Sequence, residues 1–423
     1  MYQNCQRNMC PDKKIRSKSL KMQISNLTKI IPSLGPFLAL QRFTILAEYL
    51  YHQQISWSRE SWIPRPTKRR LLYKWYSLSF LLLVTAVILG YMGFGEFLIS
   101  GQENMTMGSR VMLALFILGD VTGTGLIFSY VGKVDEICYI IASVQNLSGM
   151  IQRGSSTTRV GIVLHGFITG LIVFPMCVCF IPLLEYKMDP TYFWFRNITF
   201  LPYSAEILIR ILIIFFVVLH GSVLIYSSSI YLIWAVLCFN DCLNNANLLG
   251  ITNTADLKSV HDVFLRLKVV RRIAKVFTKF SSSLRKYRQL QIVTALVNNL
   301  LKNVILVLVG IMMIGSIVSG YILIKLRRQA PYSLIFFAVF TLTLIVVSIH
   351  LLFPLVIDAT KKSNIFIRFW QLQNISDYRK KQLKSCRLLE FRVGSFHVVD
   401  GSSRANLMYV IVYYTVTFVI SKD

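Results

Sequence analysis

Acidic residues are scarce in this chain. Nineteen Asp and Glu stand against 46 Lys and Arg, and charge of either sign makes up only 15% of the 423 residues. A soluble domain is about 25% charged, so a large water-soluble core is disfavoured. The shortage of acids leaves a net charge of +27. The basic residues, however, fall in blocks between long apolar runs, as in the cytoplasmic loops of membrane proteins. No nucleic-acid partner is expected.

Catalytic motifs are also missing. There is no G-x-x-x-x-G-K-[ST], no H-E-x-x-H, no G-x-S-x-G and no G-x-G-x-x-G after a strand. The six histidines are scattered, and nothing pairs a nucleophile with a base. An enzyme is therefore not expected, nor is a cofactor. A disulfide framework is absent too: Cys177 and Cys179 sit inside an apolar run, and Cys5, Cys10, Cys138, Cys238, Cys242 and Cys386 lie in or beside basic segments. Cys238 and Cys242 are one helical turn apart, but no His or third Cys is near enough to complete a zinc site. Reduced thiols and no metal are expected. The opening "MYQNCQRNMCPDKKIRSKSLK" has charge but no apolar core, so it does not read as a signal peptide.

What the chain has instead is apolar length, with 54% hydrophobic residues. A spanning helix needs about 20 mostly apolar residues. Seven runs qualify or nearly so: Leu71–Phe94, Arg110–Val131, Val160–Leu184, Ile207–Phe239, Asn299–Ile324, Tyr332–Ile357 and Ala405–Ile420. The fourth is too long for the bilayer and is expected to project into the cytosol as continuing helix. An eighth stretch, Ile30–Tyr51, carries Pro32, Pro36, Gln41, Arg42 and Glu48. Charges at a bilayer centre are expensive, so it reads as an interfacial or re-entrant helix. Lys and Arg in alternate loops sum to thirty-six against six, which predicts the N-terminus inside and the C-terminus outside. That is opposite to a G-protein-coupled receptor. The loop after span five, with Lys325, Arg327 and Arg328, runs against the trend. Sequons at Asn104 and Asn197 fall in the expected outside loops.

The fold class expected is therefore all-α: a polytopic membrane protein of seven transmembrane helices with cytoplasmic helical extensions. Residues 1–70 form a cytoplasmic N-terminal segment, 71–240 spans one to four, 241–298 a cytoplasmic helical loop, 299–357 spans five and six, 358–404 a second cytoplasmic helical segment and 405–423 the last span. Within 241–298, Val260, Val263, Leu267, Val270, Ile273, Phe277, Phe280, Leu284, Tyr287 and Leu290 recur every three or four residues, which makes one helical face. That face fits either a helix lying on anionic lipid or the packed core of a cytoplasmic assembly domain. "NIFIRFWQLQNISDYRKKQLKSCRLLEFRV" also reads as helix.

Ionisable residues inside spans are functional candidates by default. Asp120 lies mid-span in "LGDVTGTG", His165 and His220 lie in spans three and four, and Lys302 and Asp358 at the inner ends of spans five and six are placed to pair. Asp120 suits a polar anchor in a ligand cavity. Tyr321, Phe337 and Phe340 are the aromatic walls expected around it. In the last run, Tyr409, Tyr413, Thr417 and Ser421 are spaced by four and form a hydroxyl stripe. Such a stripe lines a water-filled pore when copies surround an axis, or bonds to neighbouring helices within one bundle.

The stretch "FRVGSFHVVDGSSRANLMYVIVYYTVTFVIS" resembles the C-terminal signature of insect gustatory receptors. That family carries T-Y followed by five hydrophobic residues and Q-F, often after a Gly-x-Phe-x-hydrophobic-Asp/Asn stretch. Gly394, Phe396 and Asp400 match the latter. Tyr413 takes the Thr position, Tyr414 the Tyr and Thr415–Val419 the hydrophobic positions, with Ile420 where Gln is usual and Ser421 where Phe is usual. "KIIPSLGPFLAL" before span one and the whole architecture are similar as well. The resemblance implies a ligand-gated cation channel subunit in the plasma membrane of sensory neurons. It also implies a small-molecule tastant, of bitter type by family size, membrane lipid around the spans, and a homo- or hetero-tetramer with other receptor subunits. The last span would line the pore, with Ile420 and Ser421 at its gate. An odorant-receptor-type subunit shares this fold and remains open, as does a secondary transporter, which would show paired internal repeats.

Overall fold

The computed structural model describes residues 34–95, 106–148, 158–186, 189–195, 202–251, 265–373, 375–394 and 397–421. Both sequons, Phe396, Val260 and Val263 lie outside them, as do the side chains of Leu267, Val270, Ile273 and Phe277.

The chain begins with α1 (Pro36–Leu50), whose Pro36 stands in the first turn, and a small antiparallel hairpin of β1 (Ile55–Trp57) and β2 (Pro64–Pro66). Then follow α2 (Tyr73–Phe94), α3 (Met107–Ser148), α4 (Thr158–Cys179) and the short α5 (Ile181–Leu184) and α6 (Tyr192–Phe195). The long α7 (Tyr203–Ile251), α8 (Leu265–Ile324) and α9 (Tyr332–Leu372) come next, then α10 (Asp377–Lys384), β3 (Arg392–Val393), β4 (His397–Val398) and α11 (Ser403–Ile420). Seven of these helical stretches are long and apolar enough to cross a membrane: Tyr73–Phe94, Met107–Ser148, Arg159–Leu184, Tyr203–Asn245, Val307–Ile324, Tyr332–Leu372 and Ser403–Ile420. The molecule is an all-α multi-pass membrane protein, as expected.

Four helices are far longer than a bilayer needs. α8 has 60 residues, roughly 90 Å at 1.5 Å per residue, and among the described residues its apolar span is Val307–Ile324. The excess of α3, α7, α8 and α9 gathers at the end of the bundle that carries the basic blocks. Phe280, Leu284, Tyr287 and Leu290 of α8 are buried there with Phe366 and Trp370 of α9. Tyr287 stacks on Phe366 at 4.6 Å, and Phe280 meets Trp370 edge-on at 5.0 Å. Where it is described, the periodic face of α8 is thus a packed core rather than a lipid-facing surface.

Three expectations need correction. The helix of span two does not stop where its apolar run ends, at Val131. α3 runs on to Ser148 through a kink at Lys133 (φ −137, ψ 21). Lys133, Asp135 and Glu136 lower its hydropathy, but Cys138, Ile140, Ile141 and Val144 keep a buried face. The segment after span six is helical only in part. From Cys386 an extended strap leads towards the β3–β4 hairpin. Side chains of α8 and α9 satisfy its backbone: Tyr287 Oη and Gln291 Nε2 donate to Arg387 O, Asn298 Nδ2 donates to Glu390 O, and Ser363 Oγ accepts from Leu389 N. Finally, Asp358 pairs with Lys362 one turn along α9 at 2.6 Å, not with Lys302 across the bundle.

The charges of α1 find partners in protein. Arg42 donates to His165 Nε2 at 2.8 Å, whose Nδ1 faces Gly161 O, and Glu48 pairs with Arg59. Gly161 lets the chain cross here, since a Cβ on it would fall 1.7 Å from Leu34 O. His220 is fully buried and joins three elements, with Tyr51 Oη at its Nδ1 and Ser79 Oγ at its Nε2. At the opposite end of the bundle, Arg210 of α7 is equally buried. It donates from Nε and Nη2 to Asp189 Oδ2, from Nη1 to Glu206 Oε1 and from Nη2 to Tyr186 O, beneath the Tyr186 ring.

Candidate functional site

A cavity of about 780 Å³ runs between α3, α7, α8 and α9, with Leu82 of α2 and Phe174 of α4 on its wall. Its space comes from a file of small residues on α3, namely Gly119, Thr122, Gly125, Ser129 and Gly132, all of which line it. Their three- and four-residue spacing puts them on one face. Gly221, Ser222, Ser228 and Ser229 of α7 do the same from across the gap.

One part of the cavity is an aromatic chamber. Phe116 of α3 stacks on Phe337 of α9 at 5.7 Å. Phe174 of α4 stacks on Phe340 at 4.3 Å and lies 5.5 Å from Phe337. Asp120 is one helical turn from Phe116, is 6% exposed, and lines the same cavity. Its Oδ2 has no hydrogen-bond partner among the described residues. Of the described lining residues, only Asp120 and Lys133 carry formal charge. They are thirteen residues apart on one helix, roughly 20 Å along its axis.

The structure therefore brings together Asp120, Phe337 and Phe340 on one cavity wall. It does not place Tyr321 there. The Tyr321 ring packs edge-on against Phe418 of α11 at 4.9 Å, away from the cavity. Phe116 and Phe174 were not singled out from sequence. The helical spacing of Phe116 to Asp120 was a usable signal for the first; no local pattern marks the second.

The last helix has two different faces. Ser403, Ile411 and Thr415 are buried against the rest of the chain. Tyr409 is 69% exposed, Tyr413 53% and Ile420 66%, and Thr417 and Ser421 are exposed with them. The rings of Tyr409 and Tyr413 stack at 6.1 Å along this outward stripe. Contacts at the far end include Tyr321 on Phe418 and Lys325 Nζ donating to Val419 O at 3.4 Å. The start is held by Asp400, whose Oδ1 accepts from the amides of Ser402 and Ser403 and from both hydroxyls. These bonds, led by that of the Ser403 hydroxyl, draw the Asp400 carboxyl down to a pKa of about 2. Gly394 turns the preceding hairpin with φ 65, a conformation that favours glycine.

No protein-family model matches the chain, and no curated protein matches it significantly. Solved structures do. The insect olfactory receptor OR5 from Machilis hrabei in complex with eugenol aligns at 13% identity and a TM-score of 0.61, covering 90% of this chain and 97% of that one. A second structure of the same receptor aligns at 11% identity and a TM-score of 0.54, with the same coverage. At such identities the likeness speaks to architecture, and over nearly its whole length this chain has the fold of an insect olfactory receptor.

Proposed function

We propose that this chain is a chemoreceptor subunit of the insect seven-helix superfamily, of gustatory type: a ligand-gated cation channel that responds to a small-molecule tastant. The observation that carries the reading is the last helix. Its hydroxyl stripe of Tyr409, Tyr413, Thr417 and Ser421 turns away from its own subunit, while its other face packs on α8. Four copies around an axis would present that stripe to a common bore. In this reading the protein is a homo- or hetero-tetramer in the plasma membrane of sensory neurons. Its basic end lies in the cytosol and forms the assembly domain, and the last helix points outward. Asp120, Phe337 and Phe340 contact the ligand; Tyr321 instead supports the last helix. A bitter-type tastant is favoured by family size alone.

An odorant-type subunit is the second reading, and the shared fold with an olfactory receptor bound to eugenol supports it. The Gly394, Asp400 and Tyr414 matches around the last helix favour the gustatory one.

Whole-cell recording of Tyr413→Cys tests the pore. A sulfhydryl reagent should block the ligand-evoked or basal cation current of the variant and leave the unsubstituted chain unaffected. A variant that reaches the surface, conducts, and is indifferent to the reagent from both sides would place the pore elsewhere. A tag after Asp423 that cannot be reached from outside intact cells would overturn the orientation.

A further inference from the structure

We infer that the aromatic chamber at Asp120 takes hydrophobic monoamines, meaning a protonated nitrogen carried on a body of one or two apolar rings. This rests on reading the cavity as the ligand site and names the chemistry that site selects.

Among the described residues, Asp120 is the one acid that lines this cavity. It is buried, it lines the cavity, and its Oδ2 has no hydrogen-bond partner among the described residues. Thr85 lies within reach of the carboxyl, but its single proton also faces Leu82 O at 2.8 Å. The hydroxyl of Thr122 is committed to Leu118 O at 2.8 Å, and those of Ser228 and Ser229 to carbonyls of their own helix. The other charged lining residue, Lys133, is roughly 20 Å away along α3. Oδ2 so placed lacks a donor and the carboxyl lacks a countercharge among the described lining residues, and leaving it that way under a bound apolar ligand is costly.

A protonated amine supplies both deficits at once. It brings up to three N–H donors and a positive charge to the carboxyl. The rings of Phe116, Phe337, Phe174 and Phe340 line the same cavity in two stacked pairs, and aromatic rings attract a cation and pack against other rings. Other classes fit less well. A carboxylic acid would be repelled by Asp120. A sugar would leave most of its hydroxyls unpaired against four phenylalanines. A neutral apolar molecule would fill the chamber but leave the carboxyl unpaired. The volume of about 780 Å³ lies within the usual range of small-molecule sites, about 300–1,000 Å³.

The test is equilibrium binding to the purified full-length chain in lipid nanodiscs at pH 7. The probes are 4-phenylbutylamine and its neutral isostere 4-phenylbutan-1-ol. The amine should bind at least tenfold more tightly than the alcohol. Asp120→Asn should reduce that preference to under twofold, and Phe340→Leu should weaken amine binding severalfold. Equal binding of amine and alcohol, no saturable binding of either, or a preference that survives Asp120→Asn would each overturn the inference. If Asp120→Asn does not fold, the amine-to-alcohol ratio of the unsubstituted chain and the Phe340→Leu variant still decide. Amine-selective, Asp120-dependent binding that evokes no current would uphold the ligand class and count against the channel reading.

Discussion

Gly320 of α8 lies directly against Thr415 of α11, so close that a Cβ built on the glycine would fall 2.6 Å from Thr415 Cγ2. Thr415 cannot easily turn aside, because its hydroxyl donates to Ile411 O at 2.7 Å and fixes the rotamer. Gly320→Ala should gain about 0.5–1 kcal/mol of helix propensity but incur an overpacking cost of about 1–3 kcal/mol, so it should lower the thermal midpoint of the purified protein. Adding Thr415→Ser removes the clashing methyl. The double variant should recover the original midpoint or exceed it. If Gly320→Ala alone is neutral, α11 is not seated on α8 as described.

Arg210 is the buried cation between Asp189 and Glu206, with Nη2 2.6 Å from Asp189 Oδ2 and Nη1 3.0 Å from Glu206 Oε1. Arg210→Met would leave two acids without their cation in a buried site. Breaking such a pair costs about 3–5 kcal/mol, a large part of the stability of most domains. Surface labelling should fall sharply. Combining Arg210→Met with Asp189→Asn and Glu206→Gln removes the stranded charge, so labelling should recover in part. Equal loss in the single and triple variants would mean that the guanidinium matters for its stacking on Tyr186 rather than its charge.

Asp400 gives the start of α11 a pH dependence. Its folded carboxyl titrates at about 2, below the ordinary value of about 3.9. A depressed acid stabilises fully above the unfolded pKa and loses that contribution as pH falls through the folded one. Protection of the amides at the start of α11, read by hydrogen exchange corrected for intrinsic rates, should therefore decline between about pH 4 and pH 2. Asp400→Ala should show low protection throughout and no step in that window. An identical step in the variant would assign it to another group.

The spans were legible because each is a long, mostly apolar run, and hydropathy is a local property. The extension of α3 past Lys133 was not, because a helix outside the bilayer needs only a thin apolar stripe. Ile137, Ile140, Ile141 and Val144 supply one that a search for long runs overlooks. The strap at Arg387 and Glu390 was unreadable for a different reason: its backbone is satisfied by Tyr287, Gln291 and Asn298, some 92–100 residues away in sequence. Part of the site shows the same divide. Asp120 was visible as a charge in an apolar run, while Phe174 joins it only because α4 packs on α7 and so brings its ring against Phe337 and Phe340 of α9. The basic loop that defied the charge pattern also has a local explanation. Lys325 donates to Val419 O at the C-terminal end of α11, where a cation favours the helix dipole.

That end of α11 is where the proposed channel would close. Ile420 is 66% exposed in the single subunit, so it is available to face its copies across an axis. It follows Val419, whose carbonyl is held by Lys325. A ring of four isoleucines can stop ions by expelling water, without filling the bore. Ile420→Gln replaces that ring with amides, which are readily wetted. Basal cation current should rise without ligand, while surface labelling stays unchanged. Tyr413 is nearly two turns deeper on the exposed face, so Tyr413→Phe should alter conductance or ion preference more than basal opening. Lys325→Met tests the support rather than the ring: it should loosen the last turn and also raise basal current, though Ile420 is intact. Should Ile420→Gln reach the surface in a responsive channel with unchanged basal current and activation, the constriction is not at Ile420, and α11 would have to be closed by another of its exposed residues.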